Sequence, residues 1–269
     1  MTTAAFQKLI WNYFEKNGRN ELPWRQSTQL YHILVSEMML QQTQVQRVIP
    51  KYTEWIQKFP NFKVLAQADF ATVLQYWQGL GYARRAKFLH HIAYILQNKT
   101  DTECKELSIE ELDALPGIGP YTARAIKTFT TETRQVFIET NIRTIFLYHF
   151  FHGQDNVSDK DILMLIEKTL PKSEYRNWYF ALMDYGSYLK SIGIKNNNNS
   201  ASYRKQSTFK GSNREARGAI LKALLKHSKI SKSKLQTIVA MDTKRFEIAL
   251  EQLESEAFIK RSADTIVLK

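Results

Sequence analysis

Leu115-Pro116-Gly117-Ile118-Gly119-Pro120-Tyr121-Thr122-Ala123 decides the fold. Upstream, Ser108 and Glu111 have the spacing of a capping box, which starts a helix leading into this stretch. The helix then ends at a glycine-containing hairpin, and a second helix begins at once with Pro120 in its first turn. Gly117 and Gly119 permit backbone angles that other residues resist and let a partner approach the main chain closely. The amides of the hairpin and of the next helix's first turn point outward as unpaired donors, which suits a phosphate. As structure alone, the stretch is a connection between two helices whose glycines serve geometry. The combination Gly-x-Gly-Pro with a helix on each side favours a helix-hairpin-helix that grips a DNA backbone without reading its sequence.

Composition agrees with a nucleic-acid partner. The 38 Lys and Arg residues outnumber the 26 Asp and Glu, for a formal net charge of +12. Such a field attracts polyphosphate and makes binding salt-dependent, although many other basic proteins share it. At 269 residues and 43% hydrophobic content, the chain is long enough for one large and one small domain. A single cysteine, Cys104, leaves no internal disulfide and no multi-cysteine metal site. The start, Met1-Thr2-Thr3-Ala4-Ala5-Phe6, lacks a basic region followed by an apolar signal core, and no apolar run is long enough for a bilayer. The expected location is therefore the cytoplasm, with no membrane partner.

Apolar residues recur at helical spacing over residues 6–13, 31–48, 51–58, 69–77, 84–97, 121–130, 141–150, 159–169 and 175–189. No alternating strand precedes residue 200, so the first domain, residues 1–194, is expected to be all-α. A polar tract around Asn196-Asn197-Asn198-Asn199 opens a linker, expected to be mobile, over residues 195–212. Residues 213–269 then give three helices and a hairpin of residues 258–260 and 265–268 around Ser262-Ala263-Asp264. That is the pattern of a small winged-helix-like α+β domain, which serves DNA binding or protein docking. Its Lys222, Lys226, Lys229, Lys232 and Lys234 suggest nonspecific DNA affinity.

Two carboxylates stand out. Glu37 sits in Val35-Ser36-Glu37-Met38-Met39, an apolar helix, where burial can raise its pKa and make it a general acid. The plainer reading is a Glu on a solvent face. Glu139 follows Val136-Phe137-Ile138 and precedes a helix start, so it can face a developing positive charge or simply complement the helix dipole. Tyr121 lies at the first turn of the hairpin's second helix, where its hydroxyl can reach a carboxylate or merely stay wet at the core's edge.

Leu22-Pro23-Trp24-Arg25, the block Ser36-Glu37-Met38-Met39-Leu40-Gln41-Gln42-Thr43-Gln44-Val45 and Gly79-Leu80-Gly81-Tyr82 precede the hairpin. In this order and spacing they resemble the MutY-type adenine DNA glycosylases of the helix-hairpin-helix (endonuclease III) superfamily. The resemblance covers about residues 1–190, and Gln41-Gln42-Thr43-Gln44 separates the MutY type from other members. It implies a monofunctional enzyme of base-excision repair that removes adenine mispaired with 8-oxoguanine or guanine from double-stranded DNA. By the same resemblance, Leu22, Trp24 and Arg25 line the adenine pocket, and Glu37 protonates the base at N7. Tyr121, Glu139 and Asn141 form the rest of the catalytic network. Gln42 and Thr43 approach the lesion-containing strand, and Tyr82 wedges into the base stack. Gly117, Gly119 and Thr122 hold the DNA backbone, with a monovalent cation on the hairpin carbonyls. Lyase members carry a lysine at the position of Tyr121, and Lys127 does not match it.

The chain departs from that family at three places. Glu139-Thr140-Asn141 stands where most members have Asp-Gly-Asn. No cysteines follow Met183-Asp184-Tyr185-Gly186, so the family's iron–sulfur cluster cannot form and no other metal is expected. About 60 residues of winged-helix pattern replace the family's 8-oxoguanine-recognition domain. The expectation is thus an iron–sulfur-free, monomeric adenine glycosylase associated with the nucleoid. The other readings are a superfamily glycosylase for another base, such as thymine in G·T, and a non-catalytic damage-binding protein.

Overall fold

A computed structural model of the chain describes residues 1–227, 229–262 and 264–269. Ala263, at the expected hairpin turn, lies outside the described residues. The chain runs through α1 (Thr3–Asn17), α2 (Leu30–Leu40), α3 (Val45–Lys58), α4 (Phe62–Gln67), α5 (Phe70–Trp77) and α6 (Arg84–Leu96). It continues through α7 (Asp101–Glu106), α8 (Ile109–Asp113), α9 (Pro120–Thr131), α10 (Thr140–Phe150), α11 (Asp159–Thr169) and α12 (Tyr175–Ser191). The C-terminal part is α13 (Asn213–Lys226), β1 (Lys229–Ser231), α14 (Lys232–Val239), α15 (Thr243–Ser255), β2 (Ile259–Ser262) and β3 (Thr265–Leu268). The all-α reading of the first part holds, and an α+β module follows it.

Contacts divide the chain into two units, Met1–Glu37 with Lys99–Lys205 and Met38–Asn98 with Gln206–Lys269. In the first, Phe6 and Ile10 lie one helical turn apart on α1 and are fully buried. Phe6 meets Phe146 of α10 at 5.3 Å and Trp178 of α12 at 6.1 Å, centroid to centroid, so α1, α10 and α12 share an aromatic core. In the second, Trp55 of α3 meets Trp77 of α5 edge-on at 5.4 Å. The short helices α4 and α7 were not expected. With six residues each, they show too little of a 3.6-residue period to be legible.

The single helix expected over residues 31–48 is two helices, broken at Gln41–Gln44, and Pro50 lies inside the second. The break has a physical cause. The last carbonyls of a helix have no intrahelical partner and carry partial negative charge. Here the buried guanidinium of Arg85 collects them: Nη1 donates to the carbonyls of Met38 (2.6 Å), Met39 (3.1 Å) and Gln41 (2.7 Å). Its Nη2 donates to the carbonyls of Leu80 (2.9 Å) and Gly81 (3.1 Å), tying a second loop to the same cation. Burial lowers the Arg85 pKa to about 10, which leaves it charged at neutral pH.

The polar tract is not loose. Asn196 Nδ2 donates to the Thr144 carbonyl (3.2 Å) and Asn197 Nδ2 to Thr144 Oγ1 (2.9 Å), fastening the tract to α10. The backbone adds Val157 N to Asn199 O and Ala201 N to Val157 O, both 2.9 Å. Amide side chains that read as solvating are instead bonded to the carbonyl and the hydroxyl of Thr144.

In the C-terminal module the strand order is β1-β3-β2, all antiparallel, with Ile230 opposite Ile266 and Arg261 opposite Ile266 on its other side. The expected hairpin is β2–β3; β1, with three residues, is an addition. Within the second unit this module packs on α5 and α6. Glu256 accepts from Arg217 (2.7 and 2.6 Å) and from Arg84 Nε (3.1 Å), and Phe258 meets Phe70 at 5.7 Å. Lys87 Nζ donates to the carbonyls of Glu256 and Ala257.

The most buried ion pair stands in the first unit. Asp184 of α12 accepts two hydrogen bonds from Arg25, each 2.8 Å, with side-chain exposures of 1% and 4%. Arg19 adds its amide (2.9 Å) and Nε (2.7 Å) to the same carboxylate. Asp184→Asn leaves two guanidinium groups facing a neutral amide, and should lower the unfolding free energy by about 3 kcal/mol in urea titration. A loss under about 1 kcal/mol would show that the pair contributes little beyond packing.

Candidate active site

Glu37, Tyr121, Glu139, Asn141 and Lys190 come together in the first unit. The apolar face of α2 carries Glu37 inward among Leu34, Val35 and Met38, all fully buried. Glu37 as a residue is half-buried, but its carboxyl group sits deep enough that loss of hydration dominates, and its pKa is pushed up to about 7. The negative charge of Glu139 raises it further, while a hydrogen bond from Tyr121 opposes the rise. The Tyr121 hydroxyl donates to Glu37, and burial beside the two carboxylates holds its own pKa well above the usual value. The ring is braced against Phe137 at 5.7 Å, and Phe137 is stacked on Tyr179 at 3.8 Å.

Glu139 is the N-cap of α10. Its Oε1 accepts from the Ile142 amide at 2.8 Å and its Oε2 from Asn141 Nδ2 at 3.3 Å. Burial raises its pKa, while the helix amides, Lys190 and Arg143 favour the ionised form. The two carboxyls thus have unlike surroundings: Glu37 receives one phenol, Glu139 a helix N-terminus and two cations. Lys190 Nζ also donates to Asn141 Oδ1 at 2.8 Å, linking α12 to the cap. At Gly186 of α12, a Cβ would lie 2.4 Å from the Asn141 carbonyl oxygen, so only glycine lets the two helices approach this closely.

The hairpin follows the expected order. Ser108 and Glu111 form the capping box of α8, and Gly117 takes φ +76° in the turn. Gly119 differs from expectation: its φ of −118° is open to any residue, and a Cβ there would meet nothing within 4 Å. The protein itself does not require glycine at 119. Thr122 is buried in the first turn of α9. Lys127 Nζ donates to the carbonyls of Lys105 (2.7 Å) and Leu107 (2.8 Å), which occupies it away from Glu37 and Glu139.

Leu22, Trp24 and Arg25 are all buried, at 4%, 5% and 9% exposure. Arg25 gives its guanidinium to Asp184 and lies over the Phe180 ring at 4.3 Å, so it anchors its segment. In the second unit, Gln42 (φ +54°) and Tyr82 (φ +47°) are exposed, left-handed residues. Thr43 instead turns inward, donating to Gln41 O (3.2 Å) and accepting from Arg85 Nη2 (3.3 Å).

Four residues in this architecture escaped sequence reading: Arg85, Asp184, Gly186 and Lys190. Asp184 had a signal, a lone acid in the aromatic run Trp178–Leu189, of the kind that also singled out Glu37. Among the described residues, no group of three or more His, Cys, Asp or Glu is placed to hold a metal ion. An iron–sulfur cluster needs four thiolates, and the chain offers only the buried Cys104, whose pKa burial raises to about 11. The residues present do not fit such a cluster.

Residues 35–172 match the HhH-GPD superfamily of base excision DNA repair proteins. An adenine DNA glycosylase of Mycolicibacterium smegmatis is 31% identical over 98% of this chain and 95% of its own length. One from Buchnera aphidicola subsp. Baizongia pistaciae is 35% identical over 70% of this chain, which spans 54% of that relative. Among solved structures, a thermostable thymine-DNA glycosylase superposes with TM-score 0.57 at 20% identity, over 69% of this chain and 86% of that one. A non-covalent endonuclease III–DNA complex gives TM-score 0.56 at 17% identity, over 70% and 87%. These two likenesses establish the fold. The chain belongs to the HhH-GPD superfamily of base excision DNA repair proteins and, within it, to the MutY-type adenine DNA glycosylases.

A carboxyl group whose pKa rises on folding binds more protons folded than unfolded, so stability falls as pH climbs through the interval between the two values. For Glu37 that interval runs from the ordinary 4.5 to about 7. Glu37→Gln should therefore raise the unfolding free energy at pH 8 by on the order of 1–3 kcal/mol, and by much less at pH 4. Equal gains at both pH values would mean that Glu37 is not held protonated by its surroundings.

Proposed function

We propose that this chain is a monofunctional adenine DNA glycosylase that excises adenine mispaired with 8-oxoguanine or guanine. The single observation that carries the mechanism is the pairing of Glu37, protonatable near pH 7, with a Glu139 held by amide and cationic partners.

A base inside a duplex is out of reach, so the adenosine must first leave the stack, at a cost of a few kcal/mol. Leu22 and Trp24 are the residues proposed to receive the base, on a segment that Arg25 and Asp184 fix in place. Glu37 then gives its proton to adenine N7, which turns the base into a better leaving group. As the N-glycosidic bond lengthens, positive charge grows on the sugar. The Glu139 carboxylate faces that charge and costs no reorganisation, because Ile142 and Asn141 already hold it. Water then adds to C1′ of the sugar and its proton returns to the Glu37 carboxylate, leaving neutral adenine and an abasic site. The extra methylene of Glu139 relative to aspartate is taken up in capping α10, which supports activity with glutamate at this position. The lysines described near the site are engaged elsewhere: Lys127 donates to the carbonyls of Lys105 and Leu107 and Lys190 to Asn141 Oδ1, while Tyr121 occupies the turn at which lyase relatives carry a lysine.

Gly117, Gly119 and Thr122 are proposed to hold the DNA backbone, with a monovalent cation on the hairpin carbonyls, while Gln42 and Tyr82 address the bases opposite and Thr43, turned inward to Arg85, braces their loops. The protein is proposed to work as a monomer on the nucleoid, in the cytoplasm. No helix among the described residues is long and apolar enough to cross a membrane.

Single-turnover adenine release from duplexes with adenine opposite 8-oxoguanine or guanine tests this reading, with alkali revealing abasic sites. Above pH about 7 the rate should fall about tenfold per pH unit as Glu37 loses its proton. Glu37→Gln should lower it by on the order of 100-fold or more, with affinity for mismatched DNA kept. A wild-type rate in that variant would remove Glu37 as the acid. Absence of abasic product from every mispair would leave a DNA-binding protein only.

The Gly119→Ala variant isolates the hairpin. The added methyl meets no protein atom, so melting should be unchanged while affinity for matched and mismatched duplex falls together. A loss confined to one mispair would contradict backbone gripping.

A further inference from the structure

The C-terminal module reaches back to Tyr82. Arg214, in the first turn of α13, donates through Nη1 to the Tyr82 hydroxyl at 2.5 Å, and its guanidinium lies 5.4 Å from the ring centroid. The Arg85 guanidinium is 5.6 Å from the same centroid. The tyrosine ring is therefore within cation–π range of two arginines, one from each part of the second unit. Gln206 makes a second bridge: its Nε2 donates to Gln42 Oε1 at 2.8 Å and to the Tyr82 hydroxyl.

We propose that Arg214 and Gln206 are positioning residues that fix Tyr82 and Gln42 as one preorganised edge, so that the winged module sets discrimination between bases opposite the excised adenine. The inference rests on the proposed role of Tyr82 as the wedge. Three observations carry it. Tyr82 and Gln42 are the left-handed, exposed residues of the two loops that Arg85 ties together, and 38% of Tyr82 is accessible. A side chain in that state would have to be ordered as DNA arrives, and that ordering opposes binding unless it is prearranged.

Second, Arg214 is itself braced. Its Nη2 donates to the Ser207 carbonyl at 2.6 Å, and its helix is capped by Ser212, which accepts from the Glu215 amide. Glu215 in turn accepts from the Gly211 amide (2.8 Å) and from Arg245 (3.0 Å). The base on which Arg214 stands is tied to α6 through Glu256. Third, among the described residues Arg214 forms no ion pair, and the acceptors named for it are the Tyr82 hydroxyl and Ser207. A charged donor held without a carboxylate is available to act on the tyrosine.

The test is a double-mutant cycle on the full chain, with two readouts: single-turnover adenine release opposite 8-oxoguanine and opposite guanine, and melting temperature. Tyr82→Ala alone comes first; if it leaves the ratio of the two rates unchanged, the wedge reading itself fails. Provided it shrinks the ratio, Arg214→Ala should shrink it by about tenfold, the usual weight of a hydrogen bond from a charged donor. Melting should change little, because docking of the module on α6 is carried by Glu256 with Arg84 and Arg217, and by Lys87, while Arg214 adds one exposed contact. In the Tyr82→Ala background, Arg214→Ala should have no further effect. Arg214→Lys should not restore the ratio, since a single ammonium cannot reach the Tyr82 hydroxyl and the Ser207 carbonyl at once in the fork geometry of the two guanidinium nitrogens. Gln206→Ala should give a smaller change of the same kind. Additive losses in the double variant would mean that Arg214 touches DNA directly, and would overturn the proposal. So would an equal slowing on both substrates, or a wild-type ratio.

Discussion

Removing an ionisable group from water is costly unless it finds a partner, and this constraint organises the chain more than any single hydrophobic contact. Asp184 meets it with two arginines, and Arg85 meets it with backbone carbonyls. Glu139 meets it with the N-terminus of α10, Asn141 and the nearby Lys190. Among the described residues Glu37 finds the Tyr121 hydroxyl and no cation, and the adjacent negative charge of Glu139 works against ionisation. The cheapest remaining state for Glu37 is the protonated one. A carboxyl group that keeps its proton near neutral pH, as the proposed general acid must, thus results from withholding a cation at one buried site while supplying cations at the others.

Much of this was legible in sequence wherever a local rule applied. The Ser108–Glu111 box, the Gly117 turn and the isolation of Glu37 in an apolar run each depend on neighbours within a few residues. What could not be read depends on distant partners. The break after Leu40 is set by Arg85, some 45 positions along the chain, and nothing around Gln41 announces it. Gly119 illustrates the opposite error. It was read as conformationally necessary, yet its backbone is ordinary and its empty surroundings are the informative feature. The asparagine tract misled for a third reason: composition measures solubility, whereas Asn196 and Asn197 are bonded to Thr144.

That tract also bears on how α10 and α12, the helices beside Glu139, are held. The family resemblance places four cluster cysteines after Gly186, and this chain has none there. The corresponding segment is instead fastened by amide hydrogen bonds to α10, and Lys190 reaches Asn141 beside Glu139. Gly186 lets α12 come into backbone contact with the same residue. Side-chain amides and close helix packing therefore supply the order at the α10–α12 junction, and they do so directly behind the carboxylate that has to be fixed.

In the second unit, α6 joins the loops of Gln42 and Tyr82 to the C-terminal module. Arg84 and Arg85 are consecutive and so point about 100° apart on the helix. Arg84 goes to Glu256 of the winged module, and Arg85 to the loops carrying Gln42 and Tyr82. Docking the module and ordering the loops are consequently properties of one rigid element. Hydrogen bonds from Arg217 and Arg84 pull the Glu256 pKa down to about 2. A depressed carboxylate contributes its stabilisation above its unfolded value and loses it only as pH falls towards the folded one. The dock therefore stays intact throughout the range in which Glu37 titrates. On the proposed mechanism, a loss of activity near neutral pH then belongs to Glu37 in the first unit, not to release of the module in the second.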